Sequence, residues 1–234
     1  MTRFPRQMPM QISLPADFAE GRFITAPCNA QAVAMLGADG WSGAQWPNGK
    51  LVLTGPEGSG KTHLLHIWAQ ANEAQYLNAR DLTPARLEGL SNCAVVALDD
   101  AEALATASEL QVAAFHLHNM LAERKGRFLL AARRPVRDWG LALPDLMSRL
   151  QAAHHATLTA PDDALLAGVL AKLFADRQLR ISDRLIPFLL PRMERSLAAA
   201  QSLVAQLDAE SLARKCTISR QLAADVMQMS CDPD

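Results

Sequence analysis

Eight consecutive residues, Gly55-Pro56-Glu57-Gly58-Ser59-Gly60-Lys61-Thr62, put two glycines at a fixed spacing ahead of a lysine and a hydroxyl. Four fixed positions would match by chance in roughly one chain of this length in a hundred, so the run is read as a motif. The chemistry is phosphate binding. Glycines let backbone N–H groups turn inward around an anion, and a helix starting after the loop adds its positive end. Lys61 would then reach the β- and γ-phosphates, and the Thr62 hydroxyl would ligate Mg²⁺. The expected ligand is ATP or ADP with Mg²⁺, held by Gly55, Pro56, Glu57, Gly58, Ser59, Gly60, Lys61 and Thr62, with His63 next in line.

Asp99-Asp100 closes the apolar run Ala94-Val95-Val96-Ala97-Leu98. An acid at the end of a strand beside such a loop holds the Mg²⁺ shell. Asp99 is that candidate, with Thr62 as the other metal residue. Asp100, or behind it Glu102, would orient an attacking water, and either aspartate could instead cap the next helix. Arg149 reads two ways from its residues alone: a surface ion pair, or a cation offered to a neighbouring subunit's γ-phosphate. Arg133-Arg134 reads equally as a phosphate contact or a solvated loop. His63, His66, His116 and His118 have no metal partner at a convincing spacing and read as core or surface histidines. His154-His155 has no evident partner.

These residues need a scaffold. Residues 50–54, 75–78, 94–98, 127–132 and 154–158 are short apolar or β-prone runs and predict strands. Residues 29–36, 63–72 and 109–125 predict helices, the last with Leu110, Ala113, Leu117 and Leu121 at helical spacing. Residues 37–49 hold four glycines and Pro47 and predict a loop. Strands alternating with helices imply an α/β fold, a parallel sheet covered on both faces. After Pro161 the patterns at 162–174, 183–191, 196–207 and 217–229 are helical throughout. The expected organisation is a tail over residues 1–20, an α/β nucleotide-binding domain over 21–159 and a small all-α lid domain over 160–234.

Composition narrows the class. The 234 residues carry a formal net charge of -1, which excludes a chain that binds nucleic acid by its charge as a whole. Cys28, Cys93, Cys216 and Cys231 form no CxxC pair and read as reduced thiols of a cytoplasmic protein. Arg3, Pro5, Arg6 and Pro9 interrupt the start of the chain, so it has no signal-peptide core. No stretch reaches the roughly 18–20 apolar residues of a membrane span.

Taken together, the loop at 55–62, Leu98-Asp99-Asp100 and Ser148-Arg149-Leu150 resemble the AAA+ family, and within it the proteins related to the replication initiator DnaA. The resemblance runs from about Phe23 onward and implies an AAA+ type parallel-sheet P-loop domain followed by an all-α lid. It is nearer the regulatory inactivators of DnaA than the initiators. The 234 residues lead one to expect no DNA-binding helix-turn-helix domain of the kind the initiators carry. Gln11-Ile12-Ser13-Leu14-Pro15 looks like a sliding-clamp-binding peptide, with Gln11 for polar contacts and Ile12 and Leu14 as apolar anchors. The run from Gly140 to Leu150 is also similar to theirs.

The resemblance implies that Arg149 is an arginine finger acting in trans on ATP held by DnaA, and that Phe23 and Ile24 lie near the adenine. The implied partners are DnaA and the DNA polymerase III sliding clamp, with DNA met mainly through the clamp. It implies no membrane, allows a homo-oligomer, and suggests weak or no intrinsic ATPase. Two departures stand out. Arg133 replaces a sensor that is commonly Asp. Ala198 replaces a lid arginine, for which Arg195 is the candidate substitute, three residues earlier on about the same helix face. The competing expectations are a self-sufficient DnaA-like or helicase-loader ATPase and an adaptor that binds nucleotide only for structure.

Overall fold

A computed structural model describes residues 24–37 and 46–229. They fall into two compact units divided between Pro161 and Asp162. In the first unit, helix α1 (Ala30–Leu36) precedes strand β1 (Lys50–Thr54), and the phosphate-binding loop joins β1 to α2 (Lys61–Ala71). Then come β2 (Gln75–Asn78), α3 (Pro84–Gly89), β3 (Val95–Asp99), a 3₁₀ turn (Ala101–Thr106) and α4 (Ser108–Glu123). β4 (Arg127–Ala132), α5 (Pro144–Gln151) and β5 (His154–Thr157) complete it.

The strands pair in the order β2-β3-β4-β1-β5, all parallel. Parallel strands need crossovers, and covering helices bury both faces. This explains why β1 is buried at all five positions rather than alternating. Its side chains serve two cores. Leu51 and Leu53 pack with Leu64, Leu65 and Trp68 of α2 on one face. Val52 packs with Leu98, Leu117 and Leu130 on the other. Register sets Thr54 level with Ala132, and Asn78 level with Asp99. The carboxyl ends of these strands form one edge, where open α/β sheets bind ligands.

The second unit consists of α6 (Asp163–Asp176), α7 (Leu185–Leu189), α8 (Leu197–Arg214) and α9 (Arg220–Met229). Its own core is built on Leu170, Phe174, Leu189, Val204 and Leu207. Among the described residues no helix is long and apolar enough to cross a membrane.

The α/β reading with a helical C-terminal part holds, and boundaries shift. The α2 helix starts at Lys61, not 63, so both phosphate-site side chains lie in its first turn. The α8 helix runs to Arg214, well past 207. Helices α3 and α5 are additions to the elements that the sequence predicts.

Candidate nucleotide site

The loop is shaped by close approach. Gly55 follows the buried end of β1, and a Cβ there would sit 2.7 Å from the Leu158 carbonyl oxygen and 2.9 Å from the Leu158 Cβ. Only glycine fits so near a neighbouring backbone. Gly60, which caps α2, has φ 95°, a left-handed conformation that any other residue would resist. Between them the Ser59 hydroxyl is buried without a hydrogen-bond partner among the described residues. A buried hydroxyl left unpaired is costly, and here it lies within a loop whose shape suits an anion.

Lys61 donates to the carbonyls of Gly55 at 2.8 Å and Pro56 at 2.7 Å, so its ammonium is folded into the same loop. Burial lowers its pKa, and Asp99 opposes that fall. The Thr62 hydroxyl donates to Asp99 Oδ2 at 2.7 Å. The two metal candidates, from α2 and the end of β3, therefore meet. Tyr76 of β2 also donates to Asp99 Oδ2, at 3.0 Å, and the Asp100 N–H donates to Oδ1 at 2.9 Å. These three donors, on both carboxylate oxygens, fix the orientation of Asp99. Burial, then the Asp99 charge, push the Tyr76 phenol far above its ordinary range. The His66 ring stacks on Tyr76 with centroids 4.0 Å apart.

Asp100 and Glu102 exchange emphasis relative to the sequence reading. Asp100 has φ 51°, and its carboxylate is engaged by Arg80 at 3.1 Å. Glu102 is the acid that, with Asp99 and Glu57, acts electrostatically on Lys61. Its side chain is only 9% exposed and lies 4.0 Å from Arg133. Arg133 also reaches Glu57 of the loop at 3.7 Å. Arg134 is bound to Glu102 through both its N–H and its guanidinium. The end of β4 therefore brings a cation to the loop where the resemblance leads one to expect an acid.

Ile24 is tied to the first unit, since Asn29 Nδ2 donates to its carbonyl at 3.0 Å. His63 is half-buried in the first turn of α2. Phe23, Gln11, Ile12 and Leu14 lie outside the described residues. Arg195 requires a correction. Ser196 is the N-cap of α8 and accepts the Ala199 N–H at 3.0 Å, so Arg195 precedes the helix and does not share a helical face with Ala198. Its guanidinium pairs with Asp163 at 2.8 Å.

Arg149 is not part of this cluster. It lies on α5, its guanidinium 5.1 Å over the Phe115 ring, and it shares a cavity with Lys50 at the first residue of β1. The loop follows the last residue of that strand. Four strand steps of about 3.3 Å, roughly 13 Å, separate the two ends.

No protein-family model matches the sequence. Solved structures do. Domain III of the Thermotoga maritima replication initiation protein DnaA superimposes with a TM-score of 0.81 and 18% identity, over 94% of this chain and 99% of that one. The fold is that of DnaA domain III. A DnaA bound to AMPPCP and single-stranded DNA matches with a TM-score of 0.71 and 20% identity, over 87% of this chain and 69% of that one. A variant of the Thermotoga maritima branch-migration motor RuvB matches with a TM-score of 0.62 and 17% identity, over 77% of this chain and 61% of that one. These are AAA+ P-loop ATPases, and at such identities the likeness speaks for the fold.

Proposed function

We propose that this chain is a nucleotide-holding AAA+ regulator of the Hda type, which acts with the DNA-loaded sliding clamp to make DnaA hydrolyse its bound ATP. The supporting observation is the separation of Arg149 from the chain's own phosphate-binding loop. An arginine at the opposite end of β1 does not serve the nucleotide beside Lys61; it is available to one on another subunit. A cation placed where charge builds on the γ-phosphoryl group is worth about 10³–10⁵ in rate in such fingers.

The chain's own loop would hold ADP or ATP, as the structural relative bound to AMPPCP holds its ligand. Lys61 and the loop amides would bind the phosphates, and Thr62 with Asp99 would hold Mg²⁺. Among the described residues no three His, Cys, Asp or Glu side chains cluster to hold a metal by themselves. Mg²⁺ here would accordingly take phosphate oxygens and waters as its remaining ligands, supplying charge neutralisation. Engagement of the clamp rests on Gln11, Ile12 and Leu14 by sequence alone.

The test is DnaA-ATP hydrolysis reconstituted with loaded clamp and DNA. This chain should accelerate it, and Arg149→Ala should remove about 10³-fold or more of the acceleration; full stimulation by that variant would overturn the reading. Gln11→Ala with Leu14→Ala should remove clamp binding and with it the clamp-dependent stimulation; full clamp binding by that variant would dismiss the tail motif. A second reading, a self-sufficient DnaA-like or helicase-loader ATPase, is favoured by the acid set of Asp99 and Glu102 beside Lys61. Robust turnover by the isolated chain would support it. An adaptor role would instead leave stimulation intact after Lys61→Ala.

A further inference from the structure

The amino-terminal end of β1 opens on a cavity of about 480 Å³ whose lining includes Lys50, His118, Lys125 and Arg149. That volume lies in the range of small-molecule sites, about 300–1,000 Å³. None of its described lining residues is acidic. Lys50 is 5% exposed, and its ammonium donates to the Asn48 carbonyl at 2.8 Å. His118 is also 5% exposed, and its Nδ1 is buried without a hydrogen-bond partner among the described residues. Arg149, steered by the Phe115 ring, stands at the exposed rim.

Such a lining is costly without a ligand. Burying an ammonium away from any carboxylate is disfavoured, and the cations repel one another. Burial and then the Arg149 charge lower the Lys50 pKa. Burial, then Lys50, push His118 down to about 4, so the imidazole is neutral at pH 7. Lys50, Lys125 and Arg149 bring donors and positive charge to one space. An oxyanion with several oxygens would satisfy these cations, whereas an apolar or cationic ligand would not.

We propose that this cavity is a second phosphate site, which receives the terminal phosphates of a nucleotide held by another AAA+ subunit, Lys50 and Lys125 supplying charge beside Arg149. The proposal rests on the in-trans reading of Arg149 given above and adds to it. The finger is one member of a basic socket, and the socket grips the partner's triphosphate from several sides.

The test uses the full chain saturated with Mg·ADP, so that its own loop is filled, and inorganic triphosphate as the probe. The histidine ring signals are followed by NMR, with His118→Gln assigning the relevant one. The His118 signal should shift saturably, and its titration midpoint should rise from about 4. Lys125→Gln should weaken triphosphate binding about tenfold, and Lys50→Gln at least as much. Lys125 is exposed, so its variant decides the matter even if Lys50→Gln fails to fold. No saturable shift, or one that survives both substitutions, overturns the proposal. In the DnaA assay, Lys125→Gln should lower stimulated hydrolysis about tenfold while ADP affinity is unchanged. Full stimulation by Lys125→Gln while Arg149→Ala is inactive would sink the second site alone. Full stimulation by Arg149→Ala would sink the in-trans reading beneath it.

Discussion

Asp99 is held by three donors, from α2, from β2 and from its own chain neighbour Asp100, and the one least expected is Tyr76. The Thr62 and Asp99 pairing is legible in the sequence, because the loop motif and the strand-ending acid each announce their chemistry. Tyr76 carries no such signal; it is one aromatic residue in a short strand. Glu102 ranks behind Asp100 in the sequence because nothing there signals that Arg80 engages the Asp100 carboxylate. Tyr76 yields a direct measurement, since it is the chain's single tyrosine. Its folded-state pKa is raised above the ordinary value of 10.0, by burial first and by Asp99 second. The folded state therefore keeps a proton that the unfolded state releases above about pH 10. The associated stability is fully present below that pH and is lost as pH rises beyond it. Phenolate absorbance should stay absent in the native protein past about pH 10 and appear together with alkaline unfolding. A native-state transition near that pH, with the fold intact, would contradict the Tyr76–Asp99 bond. Tyr76→Phe should flatten the alkaline fall in stability while leaving the protein folded at neutral pH.

Elements are legible where burial makes sequence uniform or periodic. The strands 50–54 and 127–132 are apolar because both sheet faces are covered, and both match the structure. The α3 helix escapes the sequence reading because it buries none of its residues, so no apolar stripe marks it. The α5 helix escapes it because it spans only Pro144–Gln151 and buries just Leu146 and Leu150. That omission matters, since α5 carries Arg149. The join of β1 to the loop is where an element-level prediction belongs. Gly55 lies against Leu158, just past β5, and an added Cβ would meet its carbonyl at 2.7 Å and the Ser59 hydroxyl at 3.0 Å. Neither backbone can move without shifting a sheet strand. Gly55→Ala should destabilise the protein by about 1–3 kcal/mol, the usual range for overpacking, and should weaken nucleotide binding more than a remote substitution of equal cost. Chemical unfolding alongside nucleotide titration checks both effects, and an unchanged midpoint would mean that the contact relaxes freely.

Across the whole first unit, one strand links two basic sites of different character. Lys61 feels the charges of Asp99, Arg133, Glu102 and Glu57, a mixed set suited to binding phosphate together with a metal. Arg149 shares its cavity with Lys50 and Lys125 and with no described acid, a set suited to an anion brought by a partner. If the two ends serve different nucleotides, their substitutions should be independent. Sites more than about 7–10 Å apart with no shared partner usually add within roughly 0.3–0.5 kcal/mol, and the length of β1 exceeds that separation. The measurement is the ADP affinity of the parent chain, Lys61→Ala, Arg149→Ala and the double variant. Lys61→Ala should weaken binding, Arg149→Ala should leave it within about twofold, and the double variant should match Lys61→Ala. A coupling above about 1 kcal/mol would mean that Arg149 reads the chain's own nucleotide. The in-trans finger would then lose its physical basis, because the same guanidinium cannot be reserved for a partner while it responds to the loop at the other end of β1.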